Sequence, residues 1–148
     1  MRPQRLPASL NRRPRRLSET LVNRRLPATI VLVEDDSSLR NALAFALEEE
    51  GYKVRAYDRG GSALAADQAD ADCLVIDLKL PDIDGLDLID RLRTLGSRAP
   101  AIIITTNPDA RQRRQAEGAG VAIVEKPLLD GRLRVHIDAA VARGRGAP

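Results

Sequence analysis

Apolar residues along this chain fall into short blocks, and two spacings alternate between them. Ala28-Thr29-Ile30-Val31-Leu32-Val33, Leu74-Val75-Ile76, Ala101-Ile102-Ile103-Ile104 and Val121-Ala122-Ile123-Val124 are near-continuous apolar runs. Such runs suit strands that are buried on both faces. Lys53-Val54-Arg55-Ala56-Tyr57 alternates polar with apolar instead, which fits a half-exposed strand at a sheet edge. Between these runs the period changes. Leu39, Ala42, Leu43, Ala46 and Leu47 recur at i, i+3, i+4, i+7 and i+8, one face of a helix. Asp36 or Ser37 suits its N-cap, and Gly51 stops it. Residues 59–69 read as a short, Ala-rich helix. Leu88, Ile89, Leu92 and Leu95 mark another, closed by Gly96. Pro108 and Asp109 turn the chain into a helix with little apolar face beyond Ala110 and Ala116. A last helix uses Leu133, Ile137, Ala140 and Val141 and is expected to fray at Gly144-Arg145-Gly146.

Five strands alternating with five helices at βα spacing predict an α/β fold, a parallel sheet with helices on both faces. Right-handed crossovers leave few topologies. The expectation is a flavodoxin-like, doubly wound, five-stranded sheet of order 2-1-3-4-5, which leaves the alternating second strand at an edge.

Composition narrows the class. With 148 residues, 43% of them hydrophobic, the chain can form one domain that needs no disulfide or metal for stability. Only Phe45, Tyr52 and Tyr57 are aromatic, so the core must be aliphatic. The single Cys73 opens the central strand and is expected to be a buried structural thiol, compatible with a reducing cytosol. No apolar run approaches the ~20 residues of a membrane span, and the N-terminus lacks a secretory apolar stretch. These features predict a cytoplasmic protein without membrane partners. The net charge of +3 conceals two unlike parts. Residues 1–28 hold eight arginines against Glu19 alone, with Pro3, Pro7, Pro14 and Pro27, whereas residues 29–148 are net negative. The first part is expected to be a disordered extension. A solvated tail (or a start codon set too far upstream), an electrostatic contact with nucleic acid and a targeting peptide all remain open for it. The expected domains are the extension at 1–28, the α/β domain at 29–142 and a frayed tail at 143–148.

The chemistry comes from what a parallel sheet brings to one edge. The first strand ends in Glu34, Asp35 and Asp36, and the third ends in Asp77. The fourth ends in Thr105 and the fifth in Glu125-Lys126-Pro127. In open α/β sheets this carboxyl edge is where ligands bind. Asp77 alone is equally well read as a turn cap. Together, Glu34, Asp35 and Asp77 would crowd three carboxylates into one pocket. Two like charges ~4 Å apart repel by about 4 kcal/mol at an effective dielectric near 20. Protons or a cation must therefore intervene, and oxygen-only ligands select a hard cation such as Mg²⁺.

These residues carry a resemblance. The acidic cluster after the first strand, the D-x-K-x-P-D-x-D-G segment at 77–85, Thr105 and Lys126-Pro127 resemble a response-regulator receiver domain of bacterial two-component signalling, over roughly residues 29–142. The resemblance implies that Asp77 is the phosphoacceptor for a histidine kinase or phosphotransfer protein. It implies that Asp35, Asp77 and the Lys79 backbone carbonyl hold Mg²⁺, with Glu34 acting through a metal-bound water. Thr105 and Lys126 would then contact the phosphoryl oxygens. The protein would be no enzyme beyond phosphotransfer to its own Asp and slow autodephosphorylation. The signal would pass by contact with a downstream protein, a homodimer being an allowed state. A phosphorylation-independent receiver-like module and nucleic-acid association through residues 1–28 are the alternatives. A metal-dependent phosphatase would want a second acid two residues after its nucleophile, where Lys79 stands. With no segment long enough for a DNA-binding domain after residue 142, a stand-alone receiver is expected.

The match departs from the family in three places. Ile123 stands where Tyr or Phe is usual three residues before the lysine. Thr106 replaces a smaller Ala or Gly, and Leu128 replaces Phe after Lys-Pro. Glu125-Lys126-Pro127 is similar to regulators of the FixJ type. His136 is expected to be a surface residue, and Arg111, Arg113, Arg114, Arg132 and Arg134 a solvated basic face.

Overall fold

Alternate residues of each apolar run point to opposite sides of a sheet, so a run apolar at every position needs cover on both. The computed structural model, which describes residues 27–128 and 130–146, supplies it. β1 (Thr29–Val33), β2 (Lys53–Tyr57), β3 (Cys73–Asp77), β4 (Ala101–Thr105) and β5 (Ala122–Glu125) form one parallel sheet of order β2-β1-β3-β4-β5. β1, β3 and β4 are buried throughout, while β2 sits at an edge with its alternating pattern half exposed. Val31, Val33, Leu74, Ile76 and Ile103 face one apolar cluster, and Ile30, Leu32, Val75, Ile102 and Ile104 face the other. The first cluster is closed by Leu88, Ile89 and Leu92 of α3 (Gly85–Thr94), with Ala63 of α2 (Gly60–Leu64) and Ala116 of α4 (Ala110–Gly118). The second is closed by Leu47 of α1 (Ser37–Glu49) and by Leu133, Ile137 and Ala140 of α5 (Arg132–Gly146). Each large aliphatic side chain buried this way stabilises the fold by roughly 1.5–3 kcal/mol. The core is aliphatic, as the composition requires.

Caps set where the helices begin. Asp36 accepts from the Leu39 amide at 3.1 Å and Asp84 from the Leu86 amide at 2.8 Å. The polar helix α4 buries only Ala116 and starts on a reciprocal box, Asp109 with Gln112. A cap of this kind contributes about 1 kcal/mol, which matters most where burial supplies so little.

Four expectations change. The helix expected over 59–69 is only Gly60–Leu64, because the side chains beyond it compete for backbone groups. The Gln68 amide donates to the Ala63 carbonyl at 2.9 Å, and Asp67 accepts from the Ala69 amide at 2.9 Å. Leu95 does not join the buried stripe of α3; it is 66% exposed at the C-cap. The last helix does not fray at 143 but runs to Gly146, with Arg143 and Arg145 in its final turn, where cations favour the helix dipole. Arg145 also reaches Asp72 at 3.4 Å. Finally, Ala28 is buried, its carbonyl accepting from the Lys53 amide, so it belongs to the domain. Residues 1–26 of the expected extension lie outside the described residues. No helix among the described residues is long and apolar enough to cross a membrane.

Candidate functional site

Strand register alone carries the acids to one level. Val33 pairs with Ile76, so Glu34 and Asp77 occupy the next rung side by side. Asp77 pairs with Ile104, which leaves Thr105 one rung further out on β4. Thr105 pairs with Glu125, and the Lys126 amide donates to the Thr105 carbonyl at 2.8 Å. The Lys126–Pro127 peptide is cis.

The side chains converge. Lys126 Nζ lies 2.9 Å from Glu34 Oε1 and 3.2 Å from Asp77 Oδ2, so one ammonium bridges both carboxylates. Glu34, Asp35 and Asp77 each place a carboxylate oxygen within 4.8 Å of the others. Glu34 is fully buried, Asp77 is 5% exposed and Asp35 faces solvent. The Asp36 amide donates to Glu34 Oε2 at 3.0 Å, and the Lys79 amide donates to Asp77 Oδ1 at 3.2 Å. Glu34 Oε1 is met by the Lys126 ammonium in an ion pair at 2.9 Å.

The electrostatics follow from burial. Desolvation pushes the Glu34 pKa above its ordinary 4.5; the Asp36 amide and Lys126 oppose this, and the neighbouring Asp77 adds to it. Burial works against the Lys126 ammonium too, but the bond to Glu34 and the charges of Asp77 and Glu34 outweigh it, so its pKa rises. Lys126 pairs with Glu34 and Asp77, Asp35 stands beside them, and the acids offer a set of oxygen ligands. That set fits a small, hard divalent cation.

Two further residues hold the acids in place, and neither was legible in the pattern. Arg40, in the first turn of α1, donates through Nη1 to the Glu34 carbonyl at 2.9 Å and lies 3.4 Å from the Asp35 carbonyl. Gly85 lies under Asp77: a Cβ there would meet the Asp77 carbonyl oxygen at 2.4 Å and Leu78 Cα at 2.9 Å. An arginine six residues after the first acid is a signal only once the helix start is known. Gly85 was visible as part of the 77–85 segment, without its reason.

The other sequence expectations sort simply. Thr105 is buried, whereas Lys79, Thr106 and Asn107 are exposed. Ile123 is half-buried against the first apolar cluster. His136 is exposed on α5. Of the basic residues, Arg113 pairs with Glu125, Arg132 with Asp130, and Arg134 with Glu50 and Asp138. Clefts between α2 and α3, between α5 and the β4–β5 edge, and between α1 and α5 all lie away from the acids. Cys73 is fully buried, and burial pushes its thiol up to about 12, as expected of a structural thiol.

Comparison with known proteins agrees with this geometry. The model of the response regulator receiver domain matches residues 30–138. The transcriptional regulatory protein FixJ of Bradyrhizobium diazoefficiens is 31% identical over 120 residues, covering 80% of this chain and 58% of FixJ. The tetrathionate response regulatory protein TtrR of Salmonella typhimurium is 32% identical over 116 residues, covering 77% of this chain and 56% of TtrR. The crystal structure of a CheY-like receiver domain protein from Methanospirillum hungatei superposes with a TM-score of 0.77 at 24% identity, over 83% of this chain and all of that one. This chain thus spans a little over half the length of the curated relatives. Strand order, acidic edge and matched residues agree, and the chain belongs to the response regulator receiver domain family of two-component signalling.

Proposed function

We propose that this chain is a phosphoacceptor: Asp77 takes a phosphoryl group from a histidine kinase or phosphotransfer protein, and the phosphorylated form signals through a downstream protein. The observation that carries this reading is the Lys126 ammonium bridging two nearly buried carboxylates at the mouth of the sheet. A carboxylate standing in open solvent would not need such a partner; a buried acid that must meet an anionic donor does.

In the reaction the Asp77 carboxylate attacks phosphorus, the bond from phosphorus to the donor's histidine nitrogen breaks, and the nitrogen keeps the electron pair. The protein supplies position and charge, which is nearly all that phosphoryl transfer asks of it. Asp35, Asp77 and the Lys79 carbonyl would hold Mg²⁺, with Glu34 in reach through a water. Bound there, Mg²⁺ neutralises the carboxylate and the phosphoryl oxygens. The Lys79 amide orients Asp77 through Oδ1. Lys126 can exchange its carboxylate partner for a phosphoryl oxygen, and Thr105, one rung further out, offers its hydroxyl to another. The product gains about 1.5–2 negative charges and strong acceptors. That change draws Lys126 and Thr105 inward and moves the β4–α4 and β5–α5 connections.

Intact-mass measurement after incubation with acetyl phosphate tests the reading. One phosphoryl adduct, dependent on Mg²⁺, labile to base and absent from Asp77→Asn, is expected; an adduct that survives Asp77→Asn refutes it. A second reading is favoured by Ile123, packed against the core where an aromatic switch is usual. It makes the domain a contact module indifferent to phosphorylation, and unchanged partner affinity in the fully phosphorylated protein would select it.

A further inference from the structure

The loop between β3 and α3 is closed at its base. The Gly85 amide donates to the Leu78 carbonyl at 2.8 Å, and Lys79 and Asp84 form an antiparallel bridge. Its tip, Pro81-Asp82-Ile83, is fastened to a different part of the chain. Asp82 Oδ1 accepts from the Gly60 amide at 3.0 Å and Oδ2 from the Gly61 amide at 2.7 Å. These two amides open α2, whose own N-cap residue, Arg59, makes no side-chain cap bond. Ile83 uses the space that Gly60 leaves: a Cβ on Gly60 would lie 2.3 Å from Ile83 Cγ2. Ile83 also packs on the first apolar cluster. Asp82 is exposed, yet both of its oxygens are spent on backbone groups rather than on a neighbouring cation.

We propose that Asp82 is a positioning residue for the metal site: its carboxylate staples the loop to the Gly60-Gly61 amides and so fixes the Lys79 carbonyl for Mg²⁺. This rests on the reading of that carbonyl as a metal ligand. The physical argument concerns freedom. A side-chain ligand can search for its ion, but a carbonyl moves only with its loop. Lys79 and Asp82 share a closed loop of a few residues, so an untethered tip lets the carbonyl wander, and ordering it then costs binding energy. Partners that orient a ligand from outside the coordination sphere typically change affinity by about 10–100-fold when removed. If Asp82 served only to cap a five-residue helix, its loss would loosen α2 and leave the metal site alone.

The test is a calorimetric Mg²⁺ titration of the full chain, paired with amide exchange at Gly60 and Gly61. Asp82→Ala is expected to weaken Mg²⁺ binding about tenfold and to speed exchange at both glycines. Asp82→Asn, which keeps one carbonyl acceptor, should fall between it and the wild type. By linkage, Mg²⁺ should slow exchange at Gly60 and Gly61 in the wild type and not in Asp82→Ala. Faster exchange with an unchanged Mg²⁺ affinity overturns the proposal. Should Asp82→Ala fail to fold, Asp82→Asn decides on the same two readings. A wild type that binds no Mg²⁺ would instead overturn the metal reading itself, so the two failures are distinguishable.

Discussion

Replacing Lys126 with methionine keeps much of the side chain's bulk and removes the ammonium that touches both Glu34 and Asp77. At separations of 2.9 and 3.2 Å and an effective dielectric near 20, the two lost attractions come to about 6 and 5 kcal/mol. The destabilisation cannot reach that sum. The desolvation of Lys126 disappears with it, and a carboxylate that would cost more than a proton binds one. Glu34 has an ordinary pKa of 4.5; at 1.36 kcal/mol per unit, protonating it at pH 7.5 costs about 4 kcal/mol, and at pH 5.5 about 1.4. These figures cap what the unpaired Glu34 charge can cost at each pH. Burial already holds the Glu34 pKa above 4.5 in the wild type, so part of the cost is present before the substitution. The expected loss is therefore about 2–3 kcal/mol at pH 7.5 and under about 1 kcal/mol at pH 5.5. The sign follows from linkage. A carboxyl whose folded pKa is raised makes folding take up protons, so its contribution is fully present below the unfolded pKa and is lost as pH rises through the folded one. Removing the lysine raises that pKa further and steepens the loss. Urea unfolding followed by far-UV circular dichroism, in EDTA at both pH values, measures it. An equal loss at pH 5.5 and 7.5, or none at 7.5, would refute the account of Lys126 as the counter-charge of the metal-free site.

Two further outcomes are expected. Gly85→Ala drives a methyl group against the Asp77 carbonyl and Leu78 Cα, backbone atoms that cannot turn aside, and should cost about 1–3 kcal/mol or more; a urea midpoint like that of the wild type would contradict the close approach. Tyr52 donates its hydroxyl to Asp138, and burial, with that bond, raises the phenol's pKa. Stability from this group is complete below the unfolded value near 10 and falls as pH rises past it. Tyr52→Phe should therefore cost about 1 kcal/mol at pH 8 and flatten the decline above pH 10; parallel stability curves for the two proteins would rule this out.

What the sequence revealed, and what it withheld, divides along one physical line. Strands of period one or two, helix faces and caps are local, so β2 was recognisable at the edge from Lys53-Val54-Arg55-Ala56-Tyr57 and the start of α1 from Asp36. The acids and Lys126 were legible for a less obvious reason. In a parallel sheet, topology converts chain order into spatial order, and residues just past each strand must meet at one edge. Where side chains act on backbone some distance away, no such rule helps. The helix over 59–69 was overestimated because alanines favour it locally, while Gln68 and Asp67 take the backbone groups it would need. The staple from Asp82 to Gly60 and Gly61 joins segments over twenty residues apart, and the hold of Arg40 on the Glu34 carbonyl depends on the angle at which α1 leaves the sheet.

That line also separates the acids and Lys126 from the parts that hold them. The pocket residues stand on strand ends, whose positions the ladder of β1, β3, β4 and β5 fixes to within one rung. They are then held by groups from loops and helix starts: the Asp36 amide on the Glu34 side chain, the Lys79 amide on the Asp77 side chain, and Arg40 on the backbone of the β1–α1 turn. A rigid frame can keep Glu34 and Asp77 side by side only if something answers their repulsion, and Lys126 contacts both. On the proposed reading, a phosphoryl group on Asp77 that frees Lys126 from its double duty would change the force on β5 and on the connection to α5, and so carry a chemical event at one strand end to a surface that a partner can read.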